Sequence, residues 1–136
     1  MLCPSAQPDW PESVVIAVVD GRSSEPRVIP LAEPQPVGPE LMALAGPVRP
    51  TEVFRFAAPC AEDRCRHFRD KTCTLVERVI KNLTSADASV PYCRIRSKCR
   101  WWNQEGKAAC LRCTQIVTDG YPATEARLRI GIVPPP

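Results

Sequence analysis

Thiol inventory constrains this chain more than any other feature: eight cysteines and a single histidine occupy 136 residues. Seven of the eight fall between Cys60 and Cys113, and four crowd into "CRIRSKCRWWNQEGKAACLRC", residues 93 to 113. Thiols in such numbers are cross-links, metal ligands or redox groups, and the redox compartment decides which. Met1 to Asp20 has no basic n-region, and its longest apolar run, Val14 to Val19, is too short for a signal-peptide core or a bilayer span. The expectation is a cytoplasmic chain without membrane association, where stable disulfides are rare. An even cysteine count keeps a disulfide-stapled exported protein as the rival.

The last block is spaced Cys93-x5-Cys99-x10-Cys110-x2-Cys113. A C-x-x-C pair can aim two sulfurs at one ion, and two further cysteines complete a tetrahedral thiolate shell, which suits zinc or an iron-sulfur cluster. Structural zinc sites usually present two short knuckles, and this block has one. Wide, irregular spacing fits a 4Fe-4S cubane gripped from several directions. An iron-sulfur cluster on Cys93, Cys99, Cys110 and Cys113 is therefore the expected cofactor, with zinc the alternative. The other side chains from 93 to 113 sum to +5. Four thiolates around zinc or an oxidised cubane leave about −2. Arg94, Arg96, Lys98, Arg100 and Arg112 are placed to offset that charge and to donate hydrogen bonds to sulfur.

Upstream, "CAEDRCRHFRDKTC" supplies Cys60, Cys65 and Cys73 as further metal ligands. The fourth partner is His67 or Cys3, and two four-ligand sites account for every cysteine if Cys3 is used. A three-cysteine site would leave an open position on a reactive iron or catalytic zinc. One site drawing on both blocks, with the remaining thiols inert, also fits. Leu75, Val76, Val79, Ile80 and Leu83 recur at helical spacing, which predicts a helix from about Thr72 to Leu83, capped by Asp70, with Cys73 in its first turn.

The chain reads as one domain, residues 1–136, whose composition changes near residue 59. Residues 1–59 hold eleven of the sixteen prolines and carry net charge −3; residues 60–136 carry +6. The expected fold class is α+β. A Pro-rich β scaffold, 1–59, precedes a metal-stabilised, cysteine-rich helical and loop region, 60–121, and a C-terminal segment, 122–136, with a frayed "PPP" tail. In the scaffold, "SVVIAVVDGRSSEPRVIPL" predicts a β-hairpin turning at Asp20-Gly21 and Ser23-Ser24, with Pro30 placing the second strand at a sheet edge. "PELMALAG" predicts a short helix stopped by Gly46. "TEVFRFAA" predicts a third strand, in which Val53 and Phe54 or Phe56 compete for the inner face. "EPQPVGP" has no complete P-x-x-P pattern with a flanking basic residue, so a polyproline ligand is not expected.

"CRIRSKCRWWNQEGKAACLRC", with "PTEVFRFAAPC" upstream, resembles a group of uncharacterised bacterial cysteine-rich proteins in which both phrases recur. No activity follows from that resemblance. The Cys93-x5-Cys99 pair beside a C-x-x-C is also similar, in reversed order, to the cysteine spacing of iron-sulfur DNA glycosylases and WhiB-type redox regulators, which adds to the iron-sulfur expectation alone.

Organic catalysis finds little support. One histidine leaves no Ser-His-Asp or Cys-His-Asn set, and there is neither a glycine-rich phosphate loop nor a C-x3-C-x2-C run. Adjacent Glu62 and Asp63 read as surface charge. The expected function is an iron-sulfur protein in electron transfer or redox sensing, with a redox protein as partner. The alternative is a zinc-stabilised module that engages nucleic acid or an acidic protein through its basic face, with Trp101-Trp102 as a stacking platform.

Overall fold

Phe54–Pro59 (β4) runs through the centre of the molecule, and five successive residues, Phe54 to Ala58, are buried. A strand buried on both sides needs layers on both faces. The computed structural model, which describes residues 1–22, 25–118 and 129–131, supplies them. The fold is α+β. Its main sheet is antiparallel, in the order β1-β4-β2-β3, with β1 at Leu2–Ala6, β2 at Val14–Arg22 and β3 at Glu25–Pro36.

The two-residue period of β4 divides the core. Phe54, Phe56 and Ala58 face Ala6, Val15 and Ala45, with Leu41 and Met42 of a short helix, Pro39–Ala43 (α1), packed alongside. The Phe54 and Phe56 rings meet edge to face at 6.3 Å. Arg55 and Ala57 point the other way. There Ala57 joins Val76 and Val79 of α3 (Thr74–Asn82), Trp101 of α4 (Arg100–Glu105) and Ala109 of α5 (Lys107–Cys113). The cysteine-rich half is thus packed on the back of the scaffold, across the compositional boundary near residue 59.

The hairpin pairs Val14 with Pro36 through to Arg22 with Glu25; Asp20 and Gly21, expected in the turn, instead extend β2 opposite Arg27 and Pro26, and the expected turn residues 23 and 24 lie outside the described residues. β3 is an edge strand, as Pro30 requires, and Pro26, Pro34 and Pro36 share that edge. Three further details depart from the sequence expectation. The sheet has four strands, because Leu2–Ala6 pairs with β4 despite Pro4, through a register shift between Cys3 and Ala6. Thr51 to Val53 belongs to a helical turn, Pro50–Val53 (α2), opened by Pro50 and by a Glu52 carboxylate that accepts from the Arg49 amide at 2.9 Å. Finally, α3 begins after Cys73, which sits at its N-cap. Asp70 and Lys71 are left-handed, at φ 51° and 66°, and form the turn between Phe68–Arg69 (β5) and Thr72–Cys73 (β6), so Asp70 is not the cap. The C-terminal "PPP" lies outside the described residues, and no described helix is long and apolar enough to cross a membrane.

Phe56 is fully buried. Phe56→Ala should cost about 3–5 kcal/mol in a denaturant titration. Leu44→Ala, on a side chain 75% exposed, should change stability by less than about 0.5 kcal/mol. Equal midpoints for the two variants would contradict the central place of β4.

Candidate metal centre

Glycine makes the geometry of the last cysteine block. Gly106, at φ +65°, ends α4 and starts α5, folding the second helix back along the first. Cys99 is the N-cap of α4, and Cys110 and Cys113 lie three apart on α5, one above the other on the same helix face. The C-x-x-C is therefore helical, not the tight turn of a zinc knuckle. Cys93, Cys99, Cys110 and Cys113 together line one cavity of about 50 Å³.

The unexpected member of this site is Arg55. It is 1% exposed, projects from β4 to line the same cavity, and has no carboxylate partner among the described residues. Its Nε donates to the Pro4 carbonyl at 2.7 Å and its Nη1 to the carbonyls of Cys113 and Ile116; Nη2 has no acceptor. The guanidinium stacks 5.5 Å from the centre of the Trp101 ring. Arg96 is the second cation. Its side chain lines the same cavity, donates to the Pro91 carbonyl and lies 5.6 Å over the Trp102 ring, while its Nε is buried without an acceptor.

Of the other basic residues expected near these sulfurs, Arg94 pairs with Glu33 at 3.4 Å on the surface and Lys98 is exposed. Arg112 holds backbone instead, donating to the carbonyls of Leu83 and Ala108 at 2.7 Å each. Arg100 serves different thiols: its Nε donates to Cys60 Sγ at 3.1 Å.

Those thiols form a second group. Cys60 follows β4, Cys65 follows a 3-10 turn at Glu62–Arg64, and Cys73 closes β6. Cys3, on β1, joins them around a cavity of about 430 Å³. Among the described residues, each of the two cavities is thus lined by a different group of four cysteines. His67 lines the second cavity too, but its Nδ1 accepts from Arg78 Nη2 at 2.6 Å. Burial, with Arg78 and Arg66 nearby, lowers its pKa to about 4. Trp101, buried to 1%, lines both cavities.

All eight cysteines are free thiols. No group of three His, Cys, Asp or Glu among the described residues is drawn together tightly enough to hold a single metal ion. Burial pushes the Cys99 thiol up to about 11 and Cys3 up to about 12, and raises Cys73 and Cys110 as well. Nearby sulfurs add to the effect: Cys113 beside Cys99 and Cys110, and Cys60, Cys73 and Cys65 beside Cys3. No protein-family model, curated protein or solved structure matches the chain.

Two of these residues had no sequence signal that reasoning from spacing could use. Arg55 reads as the polar position of an alternating strand. Cys3 stands 57 residues before the next cysteine, and only the β1–β4 pairing of Cys3 with Ala58 brings it in.

A thiol raised from 9.0 to about 11 has roughly a hundredfold less thiolate at pH 8. In the folded, reduced, metal-free chain, Cys99 and Cys3 should be the last cysteines alkylated by iodoacetamide, and their rates should climb about tenfold per pH unit. Site-resolved mass spectrometry reads this directly; labelling of Cys99 at the rate of a free thiol would contradict the burial assigned to it.

Proposed function

We propose that this chain is a cytoplasmic iron-sulfur protein, with a 4Fe-4S cluster on Cys93, Cys99, Cys110 and Cys113, that exchanges electrons with a redox protein partner or senses redox state. The observation that carries the reading is Arg55, a buried cation beside four thiols that has no carboxylate partner among the described residues. An uncompensated buried charge costs several kcal/mol, and neutral thiols do nothing to offset it. Four thiolates on an oxidised cubane bring a net charge of about −2 to the same cavity, and Arg55 and Arg96 become its counter-charges.

The conformation of the C-x-x-C supports a cluster over a lone zinc ion: Cys110 and Cys113 lie on helix α5 and not in the tight turn of a zinc knuckle. The cluster's redox chemistry is a one-electron change, and the protein's levers on it are the hydrogen bonds and charges around sulfur. The apolar surroundings of Trp101, Ile95 and Ala109 limit water access. Cys93 is half-buried beside exposed Tyr92 and Arg94, which puts one edge of the site within reach of a docking partner. Of the tryptophan pair, Trp101 is buried, so a base has only the Trp102 ring, already covered by Arg96, on which to stack.

Two variants test the reading. In chain reconstituted anaerobically with ferrous iron and sulfide, Cys99→Ala should remove the cluster of this site and lower the melting temperature together, because binding and folding are coupled in small metal domains. Retention of full iron and an unchanged melting curve would refute the ligand assignment. Arg55→Gln removes a positive charge that stabilises the reduced, more negative cluster while keeping a hydrogen-bond donor. Its midpoint potential should fall, by on the order of 60 mV for each tenfold loss of preference for the reduced state. An unchanged or raised potential would dissociate Arg55 from the cluster.

A further inference from the structure

We propose that Cys3, Cys60, Cys65 and Cys73 hold a second iron-sulfur cluster, with Cys3 as its fourth ligand. The inference deepens the preceding reading, resting on it for the kind of cofactor but on different residues for the site. Ligands come from three separated parts of the chain: strand β1, the segment after β4, and the end of β6. They surround a cavity of about 430 Å³, far more room than one ion needs.

What marks the cavity as a site for bound sulfur, not a set of inert buried thiols, is that two of the four sulfurs already accept N–H hydrogen bonds. Arg100 Nε donates to Cys60 Sγ at 3.1 Å, and the His67 amide donates to Cys65 Sγ at 3.4 Å. Hydrogen bonds to sulfur are how a protein stabilises and tunes a cluster. Charge agrees. Arg64, Arg66 and Arg100 line the cavity and no Asp or Glu among the described residues does, which suits a group of net negative charge. Glu62, 3.9 Å from Arg100, orients that arginine from outside the lining.

Cys3 is the fourth ligand because β1 is zipped to β4, pairing Leu2 with Pro59 and Cys3 with Ala58, and because the Cys60 amide donates to the Met1 carbonyl at 2.9 Å. His67 is less available, since its Nδ1 is held by Arg78. On loading, each ligating thiol gives up its proton to solvent as its sulfur bonds to iron. The two clusters would flank Trp101, whose ring walls both cavities.

The test is iron and acid-labile sulfide per chain, after anaerobic reconstitution of the full chain with ferrous iron and sulfide, in wild type and in Cys3→Ala, Cys65→Ala and Cys99→Ala. The proposal predicts about eight of each in wild type and about four in every single variant. Cys3 and Cys65 lie in a strand at the sheet edge and in a loop, so one variant decides should the other fail to fold. About four in wild type, unchanged in Cys3→Ala and Cys65→Ala but lost in Cys99→Ala, overturns the second cluster and leaves the first. About four in wild type, lost in Cys3→Ala and Cys65→Ala but kept in Cys99→Ala, upholds this site and refutes the first. Complete loss in every variant means one shared site and overturns the proposal. Zinc without sulfide in the wild type overturns both readings.

Discussion

A guanidinium cannot give up its charge under physiological conditions, so a chain that buries one must answer it with negative charge or dense hydrogen bonding. Arg55 is answered only in part: three backbone carbonyls accept from it, Trp101 stacks against it, and one nitrogen is left over. Those carbonyls belong to Pro4 in β1 and to Cys113 and Ile116 at and beyond the end of α5. One side chain from the central strand therefore ties the N-terminal strand, the sheet and the last cysteine helix together. The remaining electrostatic demand falls on the thiol cavity that Arg55 lines. Fold and site are joined at that residue, and the negative charge of the proposed cluster would answer a cation for which the described residues supply no carboxylate.

Trp101 performs the matching task between the two thiol groups. Its position follows from Cys99 at the N-cap and Gly106 at the end of a six-residue helix, which turn its ring inward beneath β4. Its ring stands as an aromatic wall between the two groups of thiols and lines both cavities. The parallel bridge between Leu2 and Cys99 places β1 beside the start of α4, so Cys3 of one group and Cys99 of the other are braced by the same contact.

Much of this architecture was legible because local chemistry and tertiary structure agree. The apolar spacing of Val76 and Val79 specifies a helix, the β-branched run before Asp20 specifies a strand, and Pro30 specifies an edge. Local chemistry was misleading where a second constraint took over. The sequence places Cys73 inside α3 with Asp70 as its cap, but Asp70 and Lys71 are committed to a left-handed hairpin turn, which moves the helix start past Cys73. "TEVFRFAA" lost its first three residues to a turn that Pro50 initiates. Leu2–Ala6 is short and contains proline, so nothing local marks it as a strand; its pairing with β4 is a long-range event. Arg55 was invisible for the opposite reason: alternation implies that it faces solvent, and only helices packed on the second face bury it. The grouping of cysteines depended on these non-local features, which is why spacing alone left the role of Cys3 open.

The most direct measurement of the central claim is the visible and low-temperature paramagnetic resonance spectrum of chain purified anaerobically without reconstitution. The account predicts a brown protein whose broad sulfur-to-iron absorption bleaches on reduction by dithionite while a paramagnetic signal appears. A colourless protein with stoichiometric zinc and no acid-labile sulfide would contradict it.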